Sequence, residues 1–191
     1  MGKFFAFLYR MKYISRWSLM RSVRSENVAE HSYHVSVLAH ALAVIARDVF
    51  KKSVDPGRVC AAALYHDMPE IITGDLPTPV KYHDPEIKSA YKRIEREAAE
   101  RLLGYLSDDI KGGISEAVLE EDAEIVRLIR AADKLDAYIK CIEEKNAGNR
   151  EFDRAALQTR AALEKMQAPE AEYFLKNYGE AFSLTLDELE E

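Results

Sequence analysis

Val59-Cys60-Ala61-Ala62-Ala63-Leu64-Tyr65-His66-Asp67-Met68-Pro69-Glu70 is an apolar run that ends in chemistry. Asp55-Pro56 just ahead of it is a helix start, an N-cap residue followed by proline in the first turn. The run then delivers His66, Asp67 and Glu70, and the loop Gly74-Asp75-Leu76-Pro77-Thr78-Pro79 adds Asp75. A core helix has no packing reason to end in an imidazole and three carboxylates. Buried without partners such groups are costly, so they must be exposed, paired or bound to a metal. On a continuing helix His66 and Glu70, four apart, would share one face. An imidazole beside a carboxylate suits a divalent ion of the manganese-to-zinc series. Pro69 removes a backbone N–H and should kink or loosen the helix there. The two prolines of the following loop stiffen it around Asp75 and Thr78.

Outward from this stretch the chain reads as helices. Residues 3–14 have aromatic and basic residues at helical spacing, and residues 15–26, with Arg16 and Trp17, have no period. Asn27 to Lys51 is a long helical pattern with a wide apolar face that also carries His31, His34 and His40. Asp84 to Leu103 is charged with a thin apolar stripe, which predicts a surface helix over the site loop. A weaker segment begins at Ser107 and is expected to break at Gly112-Gly113, with a short helix over Ser115 to Glu121. Glu124 to Lys145 is the last strong helix; Asp133 sits inside its apolar pattern and Asp136 follows one turn on. Residues 150–166 and 168–180 are further helical patterns, and an acidic tail closes the chain. No strand and no repeat is evident, so the expectation is one all-α domain over residues 1–191.

The chain has 191 residues, enough for a sizeable core, and a formal net charge of −6. That charge disfavours a nucleic-acid polymer as partner, because no broad basic surface is available to release counterions. Cys60 and Cys141 lie inside helical patterns and form no CxxC, so they read as small buried hydrophobes of a reducing, cytoplasmic compartment. The first residues do not read as a signal peptide, and the longest apolar stretch, Val35 to Ala46, is too short to span a bilayer.

The candidates for one site are then His31, His66-Asp67 and Asp133, each on a different long helix. Two imidazoles and two carboxylates make a mixed donor set that leaves room for water and substrate. His…His-Asp…Asp on separate helices resembles the HD-domain metal-dependent phosphohydrolases. More narrowly, five blocks in order are similar to the bacterial 5′-deoxynucleotidases of the YfbR type. They are Ile14 to Trp17, Arg24 to Ser32, Tyr65 to Glu70, Thr73 to Tyr82 and Ala132-Asp133. The Met68-Pro69 pair between His66-Asp67 and Glu70 is a visible variation.

The resemblance implies a helical bundle with a metal site between its long core helices. It implies removal of the 5′-phosphate from deoxyribonucleoside monophosphates. In this chain His31, His66, Asp67 and Asp133 would hold one divalent ion (cobalt, manganese, copper or zinc), and Glu70 and Asp75 would be catalytic. Arg16, Trp17, Asp75 and Thr78 would lie around the phosphate and sugar, and the working form would be a homodimer. One metal is expected because His83 alone, in a charged loop, lies among histidines between Asp67 and Asp133. The alternatives are an HD-family hydrolase of another nucleotide phosphate ester, and a helical binding module that keeps its metal for stability. Glu70 and Asp75, which would have no structural job, speak against the second.

Overall fold

Asn27 fixes the start of the first long helix. Its side chain accepts from the backbone N–H groups of Ala29 and Glu30, and Glu30 returns a bond to the Asn27 N–H. The computed structural model describes residues 2–81 and 83–190, with the side chains of Thr78 and Pro79 outside the described residues. The helices are α1 (Phe4–Leu8), α2 (Val28–Asp48), α3 (Pro56–Tyr65), α4 (Glu70–Thr73), α5 (Thr78–Lys81) and α6 (Pro85–Leu103). They continue as α7 (Asp108–Val118), α8 (Ala123–Asn146), α9 (Asp153–Lys165), α10 (Pro169–Tyr178) and α11 (Leu186–Glu190). Among the described residues there is no strand, only an isolated bridge between Ser15 and Asn27, and no helix is long and apolar enough to cross a membrane. The fold is all-α.

The core is α2 laid against α3 and α8. Val35, Leu38 and Leu42 of α2 meet Val59 of α3 and Leu128 and Leu135 of α8, with Leu163 of α9 and Phe174 of α10 closing the cluster. Ala39, Ala43, Ala62, Ala63, Ala131 and Ala132 are buried in the same cluster. Small residues at these contacts let the three helix axes approach closely, which brings polar side chains from three elements within reach of one another. Each fully buried leucine contributes about 2 kcal/mol from apolar burial.

A second cluster positions the site. Phe4 of α1, Leu102 and Leu103 of α6 and Met68 are buried together, and Met68 is fully buried. Met68 therefore pins the 66–69 turn from below. That turn corrects the expectation of one continuing helix face: α3 ends at Tyr65 and α4 begins at Glu70. Between them the backbone bonds run three residues back, from Met68 to Tyr65 and from Glu70 to Asp67. Pro69, which has no N–H to give, sits where the helical ladder fails.

The other correction is α7, which runs unbroken through Gly112-Gly113 to Val118. Ile114 and Val118 pack on the second cluster, and this anchoring outweighs the glycine penalty.

Candidate active site

His31 lies one turn into α2 and is fully buried. Its Nδ1 is 2.7 Å from Oδ2 of Asp136 on α8. An ionised carboxylate only accepts, so Nδ1 carries a proton, and in the neutral ring Nε2 then keeps the lone pair. His66, at the end of α3, has its Nδ1 2.8 Å from the carbonyl oxygen of Ala63. A carbonyl also only accepts, so His66 has the same tautomer. Both Nε2 atoms are buried and neither makes a hydrogen bond.

The two free nitrogens turn to one place. The imidazole centroids are 5.2 Å apart. Oδ2 of Asp67 is 3.3 Å from Nε2 of His31 and 3.2 Å from Nε2 of His66. Oδ1 of Asp133 is 3.4 Å from Nε2 of His31. The donor atoms of His31, His66 and Asp133 all lie within 4.8 Å of one another. Two lone pairs without protons to meet them, converging with two carboxylates, fit a divalent cation. His34 and His40 are exposed on α2, and His83 is exposed in its loop. The structure brings none of the three into this cluster, although His34 lies 3.6 Å from the far oxygen of Asp136.

The field at the site is that of too many carboxylates for one guanidinium. Burial alone would raise Asp67, but His66 and His31 outweigh it and hold its carboxyl well below the usual range. Burial likewise opposes ionisation of Asp133, and His31 and Lys134 overcome it. Burial and Arg16 push His31 down, yet Asp133, Asp136 and Asp67 together hold its imidazole well above the usual value. Glu70 is buried, and burial with the charges of Asp67 and Asp75 pushes its carboxyl up to about 9 against Arg16 and Lys81. Burial also raises Asp75, against the pull of Arg16.

Arg16 and Trp17 lie in a strap, residues 14–28, that has no regular period. Its neck is closed by bonds from Arg16 N–H to the Glu26 carbonyl (2.9 Å) and from Val28 N–H to the Ile14 carbonyl (3.0 Å). The Arg16 guanidinium is 3.5 Å from Asp67 and 3.5 Å from Glu26, with 12% of its side chain exposed. The Trp17 indole N–H donates to Glu26 at 2.8 Å, and the ring packs on Phe152 at 5.3 Å. Trp17 has a φ of +55°, a left-handed backbone that a bulky side chain rarely adopts. Glu26 and Phe152 hold it there.

Asp75 is half-buried in the loop after α4. Gly74, at φ +72°, makes the turn out of that helix, where a residue with a Cβ would be strained. The Tyr91 hydroxyl of α6 donates to the Gly74 carbonyl at 3.0 Å, and Lys81 pairs with Glu95 at 2.9 Å. The surface helix expected over the loop thus holds it from two points. The side chain of Thr78 and all of Tyr82, both in the motif, lie outside the described residues.

Two residues of the site escape sequence reasoning. Asp136 stands one turn beyond Asp133 in an apolar pattern, which marks it as buried, but no spacing rule says that it meets His31 across the core. Glu26 looks like an ordinary loop carboxylate until the strap folds it between Arg16 and Trp17.

A family model described as 5′-deoxynucleotidase YfbR-like matches residues 3–182. A 5′-deoxynucleotidase of Vibrio parahaemolyticus is 47% identical over 191 residues, covering 97% of each chain. A 5′-deoxynucleotidase of Yersinia pestis is 45% identical over 192 residues, covering 99% of this chain and 97% of its own. Among solved structures, an HD-domain phosphohydrolase of Listeria innocua superposes with a TM-score of 0.79 at 22% identity, over 94% of this chain and 88% of its own. The HD phosphohydrolase DatZ of cyanophage S-2L, bound to dA and one catalytic Zn2+, gives a TM-score of 0.66 at 20% identity, over 90% and 93%. These two likenesses show the shared fold.

Proposed function

The chain belongs to the YfbR-like 5′-deoxynucleotidase family, and from that premise we propose that it hydrolyses the 5′-phosphate of deoxyribonucleoside monophosphates. The products are deoxynucleoside and inorganic phosphate, and ribonucleotides are disfavoured. One observation carries the reading: two buried imidazole Nε2 atoms, unbonded, converge with Asp67 and Asp133 beside the Arg16 guanidinium. His31, His66, Asp67 and Asp133 would hold one divalent ion, cobalt, manganese, copper or zinc. When bound, that ion supplies positive charge at the phosphoryl oxygens and makes a water more acidic, toward a pKa of about 7.

The remaining work falls to side chains. Arg16 takes two phosphate oxygens with its planar fork, exchanging its contact with Asp67 for the substrate. Glu70 orients the attacking water and takes its proton; its carboxyl, raised by burial and by Asp67 and Asp75, would be drawn back toward the ionised form by a divalent ion beside Asp67. Asp75, raised by burial, gives a proton to the leaving 5′-oxygen. Trp17 presents a rigid wall at the sugar 2′ position, and by family resemblance Thr78 belongs to the positions around the phosphate and sugar. The reading includes a single domain and a cytoplasmic homodimer.

Protein stripped with EDTA and offered all 5′-deoxynucleotides and ribonucleotides, with and without Mn2+, Co2+ and Zn2+, should release phosphate only with metal and from the deoxy series. Release is lost in Asp67→Ala and falls in Glu70→Ala at unchanged Tm. Turnover of both sugar series would keep the hydrolase and discard the selectivity. Trp17→Ala should raise ribonucleotide turnover relative to deoxynucleotide; an unchanged ratio rejects the wall. A pH–rate profile that keeps both limbs in Asp75→Asn rejects Asp75 as the acid.

A further inference from the structure

The tip of the strap, Arg21 to Ser25, buries almost nothing of its own: Arg21, Val23, Arg24 and Ser25 are exposed. Apolar packing therefore does not hold it. What holds it is polar: Arg21 meets Glu151 through its backbone N–H at 3.2 Å and its Nε at 2.7 Å, Arg24 lies 3.8 Å from Glu30, and the buried contacts come from the end of α8 and the turn after it. The Glu144 carboxylate, 2% exposed, accepts from the backbone N–H of Val23 at 2.8 Å and of Arg24 at 3.3 Å. It also accepts from Lys140 Nζ at 2.6 Å and from the Asn149 side-chain amide at 2.8 Å. Lys140, 6% exposed, gives a second proton to the Arg24 carbonyl at 2.7 Å, and Asn149 gives its other to the Arg21 carbonyl at 2.7 Å. Both Glu144 oxygens, Lys140 Nζ and the Asn149 amide nitrogen are thus turned to the strap backbone or to a group that is, while Asn149 Oδ1 caps the next turn by accepting from the Glu151 N–H at 3.1 Å. A buried ion pair is a poor source of stability, because desolvation cancels most of its attraction. Its value here is geometric, since α8 is the helix that also supplies Asp133.

We propose that Glu144, with Lys140 and Asn149, is a positioning residue. It clips the tip of the strap to α8 and so presents Arg16 and Trp17 at a fixed offset from the metal-ligating carboxylates. This rests on the reading of Arg16 and Trp17 as substrate contacts. The neck bonds at 14–16 and 26–28 close the strap at its base alone. Without the clip the strap keeps its neck bonds, Glu26 and the packing of Trp17 and Met20 on the Phe152 cluster, and Arg16 and Trp17 approach the substrate with one constraint fewer.

Trp17 is the only tryptophan, so its emission reports the strap directly. In the metal-loaded Glu144→Gln enzyme, acrylamide quenching of that emission should rise about twofold. KM for dAMP should rise about tenfold with metal affinity unchanged, because a loosened substrate arm weakens binding without touching the ligands. Asn149→Ala, at a half-buried position, should show the same pattern more weakly, and it carries the test should Glu144→Gln fail to fold. Unchanged quenching and KM in a folded variant overturn the proposal, as does a loss of metal affinity in step with KM. Arg16→Ala separates the premises: if its KM and kcat match wild type, the substrate reading falls while quenching still judges the clip.

Discussion

His31 sits among carboxylates, and which of its nitrogens is free is decided by Asp136, 2.7 Å from Nδ1. Asp136→Asn keeps the shape but offers an amide that can face the ring with either end, so the tautomer is no longer enforced. Metal affinity is expected to fall 10–100-fold, the usual effect of losing an orienting carboxylate. Metal titration followed by calorimetry checks this, and wild-type affinity would reject the orienting role. The four residues expected at one place, His31, His66, Asp67 and Asp133, do lie within a few ångströms of one another. They were legible because an apolar helix has few reasons to carry such side chains. Asp136 and Glu26 were not, because their meaning lies in partners 105 and 9 or 10 positions away that only folding brings near.

At the scale of elements, the long helices announce themselves by caps and periodicity, and their ends fall close to expectation. What periodicity misses is competition at a boundary. Pro69 signals trouble in the helix, yet the place where α3 stops depends on Met68 locking into the Phe4–Leu102 cluster, a contact with distant elements. In α7 the glycine pair suggests a break, while contacts at Ile114 and Val118 hold the helix together. A Cβ added at Gly112 or Gly113 would meet nothing within 4 Å. Gly112→Ala and Gly113→Ala should therefore each stabilise by about 1 kcal/mol, through higher helix propensity. Combined, they should raise Tm by roughly 5 °C at this chain length. No rise would mean that the segment is not helical across the pair.

For the whole molecule, two buried carboxylates tie helices and strap together. Glu170 is fully buried and paired with Arg127 and Lys52. Burial would raise it, but these cations hold its carboxyl below the usual range. Glu144, against the same cost of burial, is held down at about 2 by Lys140 and the strap N–H groups. A carboxylate lowered by folding stabilises above its unfolded pKa and loses that contribution as pH falls through the folded value. Tm should accordingly drop between about pH 4.5 and 2, and less steeply in Glu144→Gln. Adding Mn2+, Co2+ or Zn2+ to the stripped protein at neutral pH should raise Tm by mass action, and should not in Asp133→Asn. Helix α8 has one more consequence. Asp133, Asp136, Lys140 and Glu144 follow at steps of three, four and four, so the candidate metal ligand, the partner of His31 and the strap's attachment share one angular phase. A residue inserted between Asp136 and Lys140 would advance everything after it by about 100°. Lys140 and Glu144 would leave the strap while Asp133 stayed in register, and a sound helix would join two sites out of step. An insertion in the exposed 121–123 stretch leaves this phase untouched and acts instead on the Asp122 cap, so a change of length there costs the helix start and not the register of the site.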